Sequence, residues 1–403
     1  MPDRGVLCRH ARVRLHAPLA ACLLTVAALL GACGGGSSEG VKISGNTLVI
    51  YSSLPFEGPS RAAAIDVLAA ERLALDQAGN RVGDRTVKLV SLDDASADDD
   101  KWDPGQIAAN AHKAAQDPKT IAYLGELDPG ASGVSIPVLN QADILAVSPG
   151  DSDTGLTRSD GGGKDDPEKF YPTGKRNFAR VIQSDRVQAK ALVTYMKMMG
   201  ATKVYLLHDQ QDYGTGLAAQ VAEAAKDEGV SVVADEGVRI GGGDYRELAD
   251  KVKGSGANAV FFGGPGDAGE AELFKDLHAA NPGLALFGSR VMAQPGFVSK
   301  LGPAASRTFI TQPGLDPKLY PPSAQQFFKD FEAKYGRAPQ PMAIYGYEAM
   351  SALLAALKDA GDNSNDRQAV IDAFFGLNNR QSVLGTYSID DNGDTTLSDY
   401  GGY

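Results

Sequence analysis

The sequence predicts an α/β protein of two similar lobes, each a mostly parallel sheet covered by helices, and three observations lead there. The chain has 403 residues, which at roughly 150 residues per domain suggests two or three domains or one bilobal body. Short β-rich runs alternate with longer stretches of helical periodicity. A polar, glycine-rich insert at 151–174 breaks this rhythm, which then restarts. The composition, 43% hydrophobic, 22% charged and 7% aromatic, is that of an ordinary soluble protein and excludes global disorder, a collagen-like repeat and a multi-pass membrane protein. A formal net charge of -11 repels phosphate backbones, which argues against a nucleic-acid partner.

Taken from the N-terminus, the first stretch reads as an address. Arg4, Arg9, Arg12 and Arg14 precede an apolar run over 17–30, too short for a bilayer that needs about 20 residues, as in a signal peptide. The run ends in Leu30-Gly31-Ala32-Cys33 and is followed by a Gly/Ser-rich tether, 33–45. That order is similar to a bacterial lipobox, in which the cysteine thiol carries diacylglycerol and cleavage makes it the new N-terminus. Cys8 and Cys22 lie inside the leader, so removal of 1–32 leaves Cys33 alone and the body without a disulfide or thiolate metal site. The same cleavage takes away four arginines and Asp3, moving the formal charge to -14.

The body follows in order. A strand over 48–51 precedes the turn residues Pro55, Gly58 and Pro59; 61–78 places Ile65, Leu68, Leu73 and Leu75 at helical spacing and stops at Gly79-Asn80. Strands are expected at 86–92, 121–124 and 144–147, with helices at 106–116 and 132–141. After the insert, strands at 178–182, 204–207, 230–233, 259–262 and 284–287 alternate with helices at 185–199, 217–228, 245–253 and 270–280. A strand at 308–311, helices at 323–335, 347–360 and 367–375, and a hairpin turning at Asn392-Gly393 complete the chain.

Motifs with chemical meaning are few. Gly264-Pro265-Gly266-Asp267-Ala268-Gly269 matches G-x-G-x-x-G between a strand and a helix. The next strand lacks a ribose-binding carboxylate, so a βα loop that needs glycine is the better reading. Gly36-Ser37-Ser38-Glu39-Gly40 matches G-x-S-x-G but lies in the tether without a strand and helix around it. His112, His208 and His278 have no second histidine at ligand spacing. The acidic runs Asp98-Asp99-Asp100 and Asp390-Asp391 read as solvated turns. No nucleophile, base and orienter set emerges, which argues against an enzyme, and no cofactor is expected.

Nearly the whole mature chain, about 46–400, resembles the type I periplasmic solute-binding proteins of the branched-chain amino-acid transport class. The resemblance is carried by Ser91-Leu92-Asp93-Asp94, by Ile144-Leu145-Ala146-Val147-Ser148-Pro149, by the run from His208 to Ala218 that contains Asp212-Tyr213-Gly214, by Phe261-Phe262-Gly263-Gly264, and by Ser382-Val383-Leu384-Gly385-Thr386-Tyr387. Lys101-Trp102-Asp103-Pro104-Gly105-Gln106 is similar to a lipid-anchored actinobacterial subgroup. The resemblance implies two Rossmann-like lobes joined by three crossovers, near Arg180, Gln312 and Gly385, with a ligand cleft between them. Residues 46–180 with 313–384 would form one lobe, and 181–312 with 385–403 the other.

Independently, ligands of open α/β sheets bind beyond the carboxyl ends of the strands, here the loops after Leu124, Val147, Leu207, Phe262 and Phe287. The resemblance implies a serine for the ligand carboxylate where this chain has Pro129, a carbonyl and a hydroxyl from Gly150 and Ser152 flanking Asp151, and an aromatic wall at Tyr213. The acid that meets the ligand ammonium falls at Arg290, a reversal of charge, with Asp267 as a possible partner of that arginine. The expectation is a lipid-anchored extracytoplasmic protein that delivers a small polar solute to an ABC permease, the solute being anionic or an amino acid turned around to place its ammonium on Asp151. A ligand-sensing receptor subunit of the same fold is the alternative, and an extracytoplasmic α/β enzyme the more distant one.

Overall fold

A computed structural model describes residues 40–96, 101–161, 163–264 and 269–403; the leader, Cys33 and Asp98-Asp99-Asp100 lie outside the described residues. The chain opens with β1 (Thr47–Leu54), α1 (Arg61–Gln77), β2 (Arg81–Val82), β3 (Arg85–Asp93), β4 (Ala95–Ser96), β5 (Lys101–Trp102) and α2 (Pro104–Gln116). It continues with β6 (Thr120–Leu124), α3 (Ser132–Gln141), β7 (Leu145–Ser148) and β8 (Phe178–Arg180). Six of these strands form one sheet in the order β2-β3-β1-β6-β7-β8, parallel except at the β2 edge. Asp103 starts α2 by accepting from the Gln106 amide at 2.7 Å, with Pro104 at the first helical position.

The second sheet follows the same logic. It uses α4 (Asp185–Met198), β9 (Lys203–His208), α5 (Asp212–Asp227), β10 (Ser231–Gly237), α6 (Arg246–Gly254), β11 (Ala259–Gly263), α7 (Glu270–Ala280), β12 (Ala285–Gly288), α8 (Pro295–Val298) and β13 (Thr308–Gln312). The remaining elements are α9 (Pro322–Tyr335), α10 (Ala343–Asp359), α11 (Arg367–Phe375), β14 (Arg380–Gln381), β15 (Thr386–Tyr387) and β16 (Gly401–Gly402). The sheet order is β10-β9-β11-β12-β13-β16, with only β16 antiparallel.

Side chains that alternate along a strand point to opposite faces, and both sheets are covered on both. Leu48 and Ile50 of β1 join Leu73, Phe327 and Leu353 on the α1, α9 and α10 side, while Val49 and Tyr51 join Ala111, Ile136 and Leu139 beneath α2 and α3. In the second sheet Val260 and Phe262 pack with Phe274 and Leu277, and Ala259 and Phe261 with Leu192 and Leu217. This explains why the strands read as continuous apolar runs rather than alternating ones.

Four expectations need correction. The insert 151–174 is not a surface excursion: Leu156 and Tyr171 are buried in the core beneath α3, and the Tyr171 hydroxyl donates to the Leu156 carbonyl at 2.8 Å. The Asn392-Gly393 hairpin shrinks to one bridge, Ile389 to Thr395. Gly393, at φ 93°, presses against β8 so closely that a Cβ would sit 2.1 Å from the Phe178 carbonyl oxygen. Tyr387, Ile389 and Leu397 pack into the first-sheet core and the chain reaches the second sheet only at β16, which moves the third passage from Gly385 to beyond Leu397. Finally, Lys42 bridges to Asp366 and Ile43 is buried, so the last residues of the expected tether belong to the body.

Candidate functional site

The loops at the carboxyl ends of both sheets converge on a cavity of about 340 Å³. Its polar lining is Ser60 at the start of α1, Asp128 after β6, Arg290 and Gln294 after β12, Gln312 at the end of β13, and Gln340 before α10. A larger cavity of about 770 Å³ lies between Ala78, Arg81 and Leu357, where helices end and β3 begins. That is the wrong end of a parallel sheet for ligand chemistry.

Arg290 is the centre of the convergence. Ser289 hydrogen-bonds the Gly264 carbonyl at 2.7 Å and ties the β12 loop to the β11 loop. From there the Arg290 amide donates to Gln188 Oε1 at 3.3 Å, its Nε to Ser152 Oγ at 3.0 Å and its Nη2 to the Gly150 carbonyl at 2.5 Å. A side chain of the second sheet's loops thus fixes itself on the loop that follows β7. Burial opposes its charge, but the fields of Tyr213, Asp185, Tyr400 and Asp128 hold its pKa above the ordinary value. Asp185, at the start of α4, accepts from Ser152 Oγ at 2.9 Å. Burial pushes its carboxyl up to about 7, against the pull of Arg290.

Asp151 does not face the cavity. It is fully buried, and its carboxylate accepts from the amides of Gly130 (2.8 Å), Ser132 (2.8 Å) and Asp153 (3.1 Å). It therefore shapes the β6–α3 loop and the start of α3, and its expected role against a ligand ammonium is a correction this structure imposes. The Gly150 carbonyl and the Ser152 hydroxyl are both engaged by Arg290. Pro129 lies half-buried in the β6–α3 loop. Asp267 lies outside the described residues.

Tyr213 stands beside Arg290. Its hydroxyl is enclosed beside the side chains of Gln188 and Ser289. It is carried on α5, whose first turn comes close to β11: a Cβ on Gly214 would lie 2.5 Å from the Gly263 carbonyl oxygen, and one on Gly263 2.5 Å from that of Gly214. Glycine at both positions lets the helix seat there.

Several residues of the site escaped the sequence reading. Tyr400 and Gln188 lie beside Arg290, and the Tyr400 hydroxyl is enclosed without a partner among the described residues. Nothing local in the sequence marks either. Arg180 is fully buried and organises the loop beneath: Nη1 donates to the carbonyls of Asp151 (3.1 Å) and Asp153 (2.7 Å), and Nε to Asp394 at 2.8 Å. Arg158 reaches the other Asp394 oxygen at 2.7 Å and also bonds Asp390, so Asp390 is an ion-pair partner rather than a solvated turn acid. Under the first-sheet loops, Glu126 accepts from Tyr123 and Ser135, each at 2.7 Å, and burial raises it to about 8. Burial, with Glu126 nearby, raises Asp94 to about 9.

A family model described as a periplasmic binding protein matches residues 52–400. An amino acid binding protein of Pseudomonas aeruginosa is 28% identical over 333 residues, covering 81% of this chain and 80% of that protein. A crystal structure of a leucine binding protein from Thermotoga maritima superposes with a TM-score of 0.72 at 22% identity, over 88% of this chain and 94% of that one. A solute binding protein of an ABC transporter from R. palustris, in complex with benzoate, gives a TM-score of 0.69 at 19% identity, over 88% and 92%.

Proposed function

Since the chain belongs to the periplasmic binding protein family, we propose that it is the extracytoplasmic solute-binding component of an ABC importer, holding a small solute between two lobes and presenting it to a membrane permease. The observation that carries this reading is the cavity at Arg290, whose lining comes from loops of both sheets. A solute seated there touches both lobes and favours the closed form by its differential affinity.

Relatives and neighbours take amino acids in one case and benzoate in another, so the fold accommodates more than one solute class. Here the charge at Arg290 disfavours an α-ammonium beside it. The buried Asp151 offers no free carboxylate to an amino acid turned around, which leaves an anionic solute as the better reading. Anchoring through a lipid on Cys33 belongs to the same proposal.

Mass spectrometry of small molecules released on denaturing freshly purified protein tests the reading, followed by titration of each released compound with scattering to measure the radius of gyration. One compound that binds saturably and shrinks the molecule is the expected result. Chemical turnover of that compound would instead favour an enzyme.

A further inference from the structure

We infer that Arg290 is a latch between the two sets of loops: its guanidinium, carried by the second sheet, fastens onto Gly150 and Ser152 of the first and holds a share of the solute-free molecules closed. This rests on the reading of two lobes that close over a solute, and its test is made without any solute.

Both halves of the contact are mounted firmly. On the second sheet's side, Ser289 donates to the Gly264 carbonyl at 2.7 Å and the Arg290 amide donates to Gln188 Oε1 at 3.3 Å, so the base of the arginine is held at two points. On the first sheet's side, Ser148 Oγ donates to the Glu126 carbonyl at 2.6 Å and accepts from the amides of Gly150 (3.0 Å) and Asp151 (2.7 Å). Gly150 sits so close to the β6–α3 loop that a Cβ on it would lie 2.3 Å from the Leu127 carbonyl oxygen. Its carbonyl is therefore a fixed acceptor, and a contact between preorganised groups loses little to ordering when it forms.

Across the gap Arg290 donates through Nη2 to that carbonyl at 2.5 Å and through Nε to Ser152 Oγ at 3.0 Å. The same hydroxyl donates to Asp185 Oδ1 at 2.9 Å, so the fully buried Ser152 is gripped between an arginine and a carboxylate, accepting from one and donating to the other. The two ties respond differently to opening. Asp185 lies where the chain passes from β8 into α4, and its amide also donates to the Ser152 carbonyl at 2.8 Å, so that tie sits at the passage and moves with it. Arg290 arrives from the loop after β12, on a different part of the second sheet, and separation of the loops must draw its guanidinium off Gly150. Two hydrogen bonds from a charged group favour the closed form by about 10-fold, net of the water that replaces them. A molecule held partly closed asks less rearrangement of a solute, whose apparent affinity scales with the fraction already in the binding form. The solute then draws in the molecules that remain open.

Small-angle scattering of the full chain, stripped of solute and shown empty by mass spectrometry, tests the latch on wild type, Ser152→Ala, Arg290→Gln and Arg290→Lys. Without solute, Arg290→Gln should lower the closed-to-open ratio about 10-fold and so raise the radius of gyration. Ser152→Ala, which leaves the Gly150 bond, should raise it less. Arg290→Lys should fall between wild type and Arg290→Gln, because an ammonium keeps one bond but not the two-pronged fit. Thermal melts establish that each variant is folded. Expansion of the empty variants supports the latch whichever solute is later found. A radius equal to that of wild type in folded, empty Arg290→Gln overturns it; a released solute that still contracts the wild type then leaves the binding-protein reading standing. If neither the variants nor any released solute changes the radius, the latch and the reading of closing lobes fall together.

Discussion

Glu71 lies on the face of α1 turned to the first sheet, fully enclosed, with both carboxyl oxygens unpartnered and Ser52 of β1 beside it. Burial outweighs Ser52 and Arg72 and pushes its pKa from the usual range to about 8. The folded state therefore binds a proton that the unfolded chain has released across the interval between the two values. Stability from this group is complete at pH below the ordinary glutamate range and is lost as pH rises through about 8. Glu126, raised to about 8, and Asp94, raised to about 9, act with the same sign. Urea unfolding at pH 5, 7 and 9 should show wild type weakening with pH and Glu71→Gln weakening less. The difference should grow by up to about 1.4 kcal/mol per pH unit between the two pKa values. Parallel pH profiles for the two proteins would reject the buried, protonated Glu71.

The secondary elements are where the sequence spoke most clearly, because a doubly covered parallel sheet writes its strands as short apolar runs and its helices as amphipathic ones. The expected helices at 132–141, 270–280 and 367–375 coincide with α3, α7 and α11. The start of α5 at Asp212 rather than Leu217 was masked by glycines that usually argue against a helix, though here they permit close packing on β11. The insert misled for a related reason: glycine and proline content signals turns but says nothing about what the turns are pinned to. It is pinned by charge, through Arg158 and Arg180 on Asp394.

Removing one partner of a buried pair strands the rest, so Asp394→Asn should cost about 3–5 kcal/mol. Arg186→Ala, which breaks an ion pair with Asp160 that is open to solvent, should cost less than about 1 kcal/mol. Denaturant titration of both variants decides it; equal losses would mean that the Asp394 network is not what holds the insert.

On the scale of the whole molecule, the two-lobe plan was legible in the restart of the βα rhythm after the insert, whereas the site was legible only in part. Arg290, Gly150, Ser152 and Tyr213 could be placed together because each follows a strand at its carboxyl end. Tyr400, Gln188 and Arg180 come from a terminal segment, a helix interior and a strand end, and only the tertiary fold brings them together. Among the described residues no helix is long and apolar enough to cross a membrane. The proposed site of lipid attachment is the thiol of Cys33, since Cys8 and Cys22 precede the expected cleavage point. A single acyl chain anchors only weakly and stable attachment takes more than one, so the diacylglycerol proposed on Cys33, with its two chains, would supply the attachment. Cys33→Ala, or globomycin treatment of the wild type, should therefore yield a soluble product or an uncleaved precursor on fractionation and mass spectrometry of the N-terminus. A cleaved protein that still partitions with membranes under both conditions would remove the lipid from the proposal while leaving the cleft untouched.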